Sequence, residues 1–232
     1  VYDEEGWLQK VAIGVGVLIA TFLLSFALVG ILGWFILTGY CLRLMRNVQD
    51  GRTQVLPEWN QWGDDLANGF KLAVVSFVWA IPGIVFGIPM ILGGLLTEGN
   101  EFAQVVGLFL MLCAGALVFF YSIFVFLAMP GYTIAFAQDG KISSGLELTA
   151  VWHWTRATPT SVIAIALMVA ILSTAAALLA GIVGTLFCVV GLIITIPLAT
   201  LITAFFRYHL YGQLAHESPF DEESPLGAAG PV

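Results

Sequence analysis

Charged residues divide this chain into long apolar runs. Asp, Glu, Lys and Arg are absent from residues 11–42, 72–97, 102–138 and 157–206. A helix needs about 20 predominantly apolar residues to cross the hydrocarbon core of a membrane. The second and third runs therefore predict one spanning helix each, near 72–96 and 104–129. Pro130 and Gly131 are expected to end the latter helix.

The first and fourth runs are longer than one span requires. The fourth run has 50 residues, enough for two spans near 159–180 and 187–207 with a turn within 181–191. The 32 residues of the first run would form a helix about 48 Å long, whereas the hydrocarbon core is about 30 Å thick. Two arrangements fit: one long tilted helix, or a re-entrant helical hairpin that bends near Ser25–Gly33.

Composition places the chain among integral membrane proteins. Hydrophobic residues make up 59% and charged residues 10%, against about 25% charged in typical soluble domains. The mean hydropathy is +0.97. The sequence therefore predicts an all-α, polytopic transmembrane helical bundle of about five spans with two interfacial amphipathic helices. Residues 1–212 are expected to form this single domain, and residues 213–232 an acidic, flexible tail.

The distribution of Lys and Arg predicts the sidedness of the bundle. Short connections rich in these residues remain in the cytoplasm. The basic connections contain Arg43, Arg46, Arg52, Lys71, Lys141 and Arg156, and Arg207 ends the last span. The only charged residues of the connection 97–103 are the acidic Glu98 and Glu101. We therefore expect the basic connections and the C-terminus to be cytoplasmic, with the side of the N-terminus depending on the first run.

The first basic connection has an amphipathic pattern. Pro57 suits the first turn of a helix. The large apolar side chains that would then share one face are Trp59, Trp62, Leu66 and Phe70. Such a helix either lies in the membrane interface or offers its tryptophans as a docking surface for a partner. Glu58, Asp64 and Asp65 are expected to form its solvated polar face.

The second basic connection predicts another interfacial helix. Ser144 and Glu147 have the spacing of a capping box, which places a helix over about 145–156. Leu146, Trp152 and Trp154 are further candidates for partner docking. His153 lies between the two tryptophans, where it is either an interface residue or an axial ligand for haem or a pigment.

Small residues and prolines mark the spans for helix packing. Gly83 and Gly87 fit the small-x-x-x-small pattern of close helix contacts. The other residues of this kind are Ala177, Gly181 and Gly184. Prolines within the second and last spans also free backbone carbonyls, as in the broken helices of transporters. Packing is the favoured interpretation because no charged residue lies within a span.

Several functional classes are disfavoured. The net charge is −7, with acidic residues clustered at both ends, whereas nucleic-acid binding needs a basic surface. The three cysteines are far apart and suggest neither a disulfide framework nor a metal site. No set of nucleophile, base and acid has the spacing that catalysis in a membrane needs. We therefore expect a protein that is not an enzyme and has no cofactor.

The first basic connection and its flanks resemble a known family. The residues that carry the resemblance are Gly39, Tyr40, Arg43, Arg46, Asn47, Gly51, the LPEW stretch at 56–59, Trp62, Gly63, Asp64 and Gly69. They are similar to the signature of the prokaryotic membrane family called domain of unknown function four-zero-one-three. The resemblance covers most of residues 5–210. It implies a multi-pass protein of the prokaryotic cytoplasmic (inner) membrane and no particular activity.

Three functional hypotheses follow. The first is a non-catalytic accessory or scaffold subunit that packs in the lipid bilayer against other membrane protein subunits or against itself. The second is a small-solute or ion permease. The third is a haem- or pigment-associated membrane subunit that would use His153.

Overall fold

In the part of the chain that the structure describes, the regular secondary structure is all helical. This computed structural model describes residues 7–24, 30–187 and 190–220. The helices are α1 (Trp7–Leu24), α2 (Gly30–Gln49), α3 (Trp62–Leu96), α4 (Glu101–Asp139), α5 (Ile142–Gly145), α6 (Leu148–Ala157), α7 (Pro159–Leu186) and α8 (Val190–Glu217). Four of them, α3, α4, α7 and α8, are long and apolar enough to cross a membrane. The predicted all-α membrane bundle is confirmed.

The first apolar run forms two helices that fold back on each other. Near the start of α1, the ammonium group of Lys10 donates to the carbonyl oxygen of Leu56 at 3.1 Å. The Trp59 indole donates to the Lys10 carbonyl oxygen at 3.1 Å and stacks on Tyr40 of α2 with 3.9 Å between ring centroids. The start of α1 and the second half of α2 thus contact the same segment. The run is a hairpin rather than a fifth span, although most of the predicted bend lies outside the described residues.

Helices α4 and α8 extend beyond their predicted ends. Helix α4 continues through Pro130 to Asp139, since the residues after the proline are packed in the core and tertiary contacts hold the helix together. It ends at Gly140, which has φ +69° and donates its N–H to the Phe136 carbonyl oxygen at 2.9 Å. Helix α8 reaches Glu217 and buries Leu214, so it extends into the segment that was predicted to be a tail.

The turns between the long helices lie close to their predicted positions. Asn100 caps α4, and its side-chain oxygen accepts from the Ala103 N–H at 2.9 Å. Helix α7 ends at Leu186 and α8 begins at Val190, within the interval predicted for that break. Two hairpins result, α3–α4 and α7–α8.

The core lies at one end of the bundle. We call this end the basic end, and it comprises the loop 50–61, the segment 140–147 and the helix ends beside them. The largest fully buried side chains there and in the adjoining turns are Tyr40, Leu42, Leu44, Met45, Leu56, Val75, Ile134, Phe136, Val151, Val162, Leu201 and Leu214. By contrast, only 6–28% of the most apolar window of each long helix is buried. The two hairpins therefore pack together at the basic end and expose most of their apolar length.

Helices α2 and α3 cross in direct backbone contact. A Cβ atom built on Gly39 would overlap with the backbone carbonyl oxygen of Asp65. One built on Gly69 would overlap with the carbonyl oxygen of Phe35. Glycine is needed at both positions because only a residue without a side chain allows this approach.

Replacing Gly69 by alanine is expected to destabilise the bundle, because the new methyl group would overlap with rigid backbone. Overpacking of this kind costs about 1–3 kcal/mol. The matched control is Gly63→Ala in the same helix, where an added methyl group meets nothing within 4 Å. Thermal unfolding of both variants in detergent measures the difference. Equal melting temperatures would contradict the close crossing of α2 and α3.

The hairpin formed by α1 and α2 makes a prediction about membrane sidedness. In a variant without its native cysteines, single cysteines at the exposed positions Leu8 and Gln54 should react with a membrane-impermeant thiol reagent from the same side. A cysteine at Glu98, in the turn between α3 and α4, should react only from the opposite side. Labelling of positions 8 and 98 from one common side would show that the first run crosses the membrane.

Candidate functional site

A buried ion pair joins α2 to α3. The Nε and Nη2 atoms of Arg43 each donate to a carboxylate oxygen of Asp65, both at 2.6 Å. Nη2 also donates to the carbonyl oxygen of Glu58 at 3.0 Å. Asp65 is only 1% exposed, so the expectation that it belongs to a solvated face is wrong. Such a two-pronged pair fixes the distance and the rotation between the two helices.

Tyr40 and Trp59 complete the arrangement that we call the clasp: Tyr40, Arg43, Glu58, Trp59 and Asp65. The Tyr40 hydroxyl donates to the carbonyl oxygen of Pro57 at 2.9 Å. Burial raises the pKa of the Tyr40 phenol, so the hydroxyl keeps the proton that it donates. The clasp thereby holds the loop 50–61 against α2, and the loop in turn holds Lys10 of α1.

The predicted helix starting at Pro57 is wrong, and the clasp gives the reason. The carbonyl oxygens of Pro57 and Glu58 accept from Tyr40 and Arg43, and these contacts hold the segment before Trp62 as a loop against α2. Helix α3 begins at Trp62 and continues as a single helix to Leu96. The expected interfacial helix is therefore the first part of a long spanning helix.

The structure divides the predicted docking residues between core and surface. Trp154 is 6% exposed, and its indole donates to the Ser218 carbonyl oxygen at 2.9 Å. Trp59 is half-buried in the clasp. Leu66 and Leu146 are also half-buried, whereas Trp62, Phe70 and Trp152 are exposed. The structure therefore does not bring these residues together as one exposed surface.

The second connection also differs from its predicted form. Helix α6 begins at Leu148, and the Ser144 hydroxyl donates to the Asp139 carboxylate at 2.8 Å instead of capping the helix. The expected capping box is therefore wrong. His153 is exposed on α6. No group of three metal-ligating side chains occurs among the residues that the structure describes.

A cavity of about 890 Å³ lies where the two hairpins diverge. Residues of α2, α3, α4, α7 and α8 line it. Most are apolar, and Trp34 and Phe77 on its wall are themselves exposed. Ala177 and Gly181 also line it, and nothing lies within 4 Å of a Cβ atom built on Gly181. Gly184, in contrast, packs against Leu192 of α8.

Arg207 lines this cavity, and it differs from the other basic residues of the chain. Each of the other seven has a partner: Lys10 with Glu58, Arg43 with Asp65, Arg46 with the Ala137 carbonyl, Arg52 with Asp50, Lys71 with the Gly140 carbonyl, Lys141 with Asp139, and Arg156 with the ring of Trp152. The Nε atom of Arg207 is buried and has no hydrogen-bond partner within the described ranges. No Asp or Glu occurs among the described residues that line the cavity.

Sequence reasoning treated Arg207 only as the end of a span. Helix α8 in fact continues to Glu217, so Arg207 lies inside the helix and beside the cavity. A signal was present in the sequence, because the residues after Arg207 keep an apolar pattern through Leu214. A lone arginine within such a helix is usually functional.

A second, polar pocket of about 640 Å³ lies at the basic end beside the loop 50–61. Arg43, Arg46 and Arg52 line it together with Asp50 and Glu58. Each of these arginines already has a hydrogen-bond partner within the protein. In this pocket, unlike in the cavity beside Arg207, the Nε or Nη2 atom of every lining arginine is hydrogen-bonded within the protein.

These features define a polytopic helical membrane protein whose polar signature residues hold the fold together. The chain belongs to the family described as "Protein of unknown function (DUF4013)", whose model matches residues 22–185. The matched residues include the whole clasp, whereas Arg207 lies beyond them. No curated protein and no solved structure matches the chain.

Removing the negative charge from the ion pair should strongly destabilise the protein. Asp65→Asn leaves the Arg43 guanidinium without its counter-charge, and breaking a buried pair in this way costs roughly 3–5 kcal/mol. The control is Asp50→Asn, whose carboxylate is 51% exposed and pairs with the exposed Arg52 at the surface. That change should cost less than about 1 kcal/mol. Thermal unfolding in detergent compares the two variants, and similar losses would refute the ranking.

Proposed function

We propose that this protein is a non-catalytic accessory or scaffold subunit that binds a transmembrane helix of another membrane protein. The observation that carries the proposal is an unused small-residue face on α3. Gly87 and Gly94 lie on the same side of the helix, and a Cβ atom built on either meets nothing within 4 Å. Ala80 continues the same face and is exposed.

Large side chains border this face along one side. Ile84 is 56% exposed and Ile91 is 69% exposed. A shallow groove of glycines beside such a ridge allows two helices in a membrane to approach closely. A partner helix that entered the groove would gain van der Waals contacts that lipid chains make less well.

The same helix uses another glycine for contact within the chain. A Cβ atom built on Gly93 would lie 2.6 Å from the carbonyl oxygen of Gly107 on α4. Glycine packing is therefore the way in which this hairpin forms its own contacts. Gly87 and Gly94 offer the same kind of surface to a partner, a second copy of the chain included.

The proposed setting is the cytoplasmic membrane of a prokaryote, with the basic end and the C-terminus in the cytoplasm. Support comes from the seven basic residues that have partners, since these partners lie at that end. Short connections rich in Lys and Arg remain on the cytoplasmic side of a membrane. The turn at 97–100, at the other end of α3 and α4, contains Glu98 and no basic residue. In this setting the start of α1 is also cytoplasmic.

A permease is the second candidate, and the cavity beside Arg207 is the observation that favours it. A polar group in the wall of a cavity between spanning hairpins is typical of substrate pathways. Flux of small anions into proteoliposomes, compared with empty vesicles, tests this candidate. Equal flux in both would exclude it for the solutes tested.

The accessory role predicts that filling the groove releases the partner. A Gly87→Ile/Gly94→Ile double variant should lose at least half of the membrane proteins that co-purify with the chain from its native membrane in mild detergent. The control is Gly115→Ile on α4, where an added side chain also meets open space. Quantitative mass spectrometry of the purified complexes measures the ratio. Full retention of every partner by the double variant would refute the groove.

A further inference from the structure

We propose that the cavity between the two hairpins binds an anionic membrane lipid, with the headgroup phosphate on Arg207 and an acyl chain along the apolar wall. This proposal does not depend on the partner groove of α3. It concerns a different surface, and it rests on Arg207, Thr133 and the shape of the cavity.

The first argument is the charge of Arg207. An arginine near the hydrocarbon region is costly unless a counter-charge or a hydrogen-bond acceptor compensates for it. No salt bridge to Arg207 is present in the described part of the chain, and its Nε has no acceptor. An anion that comes from outside the chain would supply both the counter-charge and the acceptor. Guanidinium groups bind phosphate oxygens with well-matched geometry.

The second argument is the hydroxyl group of Thr133, which lies on α4 and lines the same cavity. The residue is 1% exposed, and its oxygen has no hydrogen-bond partner in the described ranges. Other hydroxyls of the cavity wall donate to carbonyls of their own helices: those of Thr38, Ser173, Thr200 and Thr203. Thr133 thus provides a spare donor for a second oxygen of the ligand.

The third argument is the apolar remainder of the cavity. Its volume of about 890 Å³ is within the usual range of ligand sites. The wall includes the apolar side chains of Leu37, Leu72 and Phe77. A soluble anion in this cavity would lose the water around most of its own surface and gain no polar contacts from these side chains in return. A lipid matches both parts, since its phosphate meets the polar groups and its chain meets the apolar wall. Basic pockets between transmembrane helices bind lipid headgroups by this combination.

The test is a binding measurement on the full chain, purified and delipidated in detergent. Native mass spectrometry follows retention of phosphatidylglycerol, phosphatidylcholine and soluble glycerol phosphate. We expect one phosphatidylglycerol per chain, weaker retention of phosphatidylcholine, whose cation offsets the phosphate charge, and no retention of glycerol phosphate. Glycerol phosphate binding as tight as that of phosphatidylglycerol would overturn the proposal in favour of a site for soluble anions.

Variants separate the headgroup contact from the chain contact. Arg207→Gln should weaken phosphatidylglycerol binding by about ten- to a hundredfold, because a charged hydrogen bond is lost. Arg156→Gln is the matched control, since Arg156 is exposed and does not line the cavity. Gly181→Leu fills open space in the cavity without altering Arg207 and should also reduce binding.

The second variant keeps the test decisive if Arg207→Gln fails to fold. Reduced phosphatidylglycerol binding by Gly181→Leu, with Arg156→Gln unchanged, would support a lipid inside the cavity. Binding by Gly181→Leu equal to that of the original chain would overturn the proposal. Equal loss in Arg207→Gln and Arg156→Gln would also overturn it, since the lipid would then respond only to the general charge of the basic end.

Discussion

The buried pair of Arg43 and Asp65 is the interaction on which the rest of the structure depends. Its two short hydrogen bonds hold α2 and α3 at the distance that the glycine crossing permits. Arg43 donates a third hydrogen bond, to the carbonyl oxygen of Glu58 in the loop 50–61. Because the same loop binds Lys10, a continuous set of contacts connects the ion pair to the start of α3, to the loop and to the start of α1.

This arrangement explains why the molecule is dense at one end and open at the other. The clasp and the buried core hold the two hairpins together at the basic end. Beyond that end, the hairpins make their closest contacts within themselves, at Gly93 with Gly107 and at Gly184 with Leu192. The cavity lined by Arg207 forms where they diverge. The apolar faces that are exposed beyond the basic end are the surfaces to which the proposed membrane partners would bind.

The sequence predicted the spanning helices well because the free energy of placing charges in a membrane dominates helix position. It failed where tertiary contacts compete with local pattern. Asp65 and Asp64 are neighbours in the sequence, and only the crossing with α2 makes one of them buried. Pro57 matches the pattern of a helix start. Its carbonyl oxygen instead accepts a hydrogen bond from the Tyr40 hydroxyl, and the helix begins at Trp62. Arg207 resembles the end of a span because it ends the charge-free run, although the apolar pattern continues beyond it through Leu214.

The central claim is that Arg43 and Asp65 act as one unit, and a double-mutant cycle on thermal stability tests it most directly. Arg43→Leu and Asp65→Asn are measured singly and together in the same detergent. Because each single change already destroys the pair, we predict that the double variant is no less stable than the worse single variant. Losses that add within experimental error would show that the two residues act independently and would contradict the account.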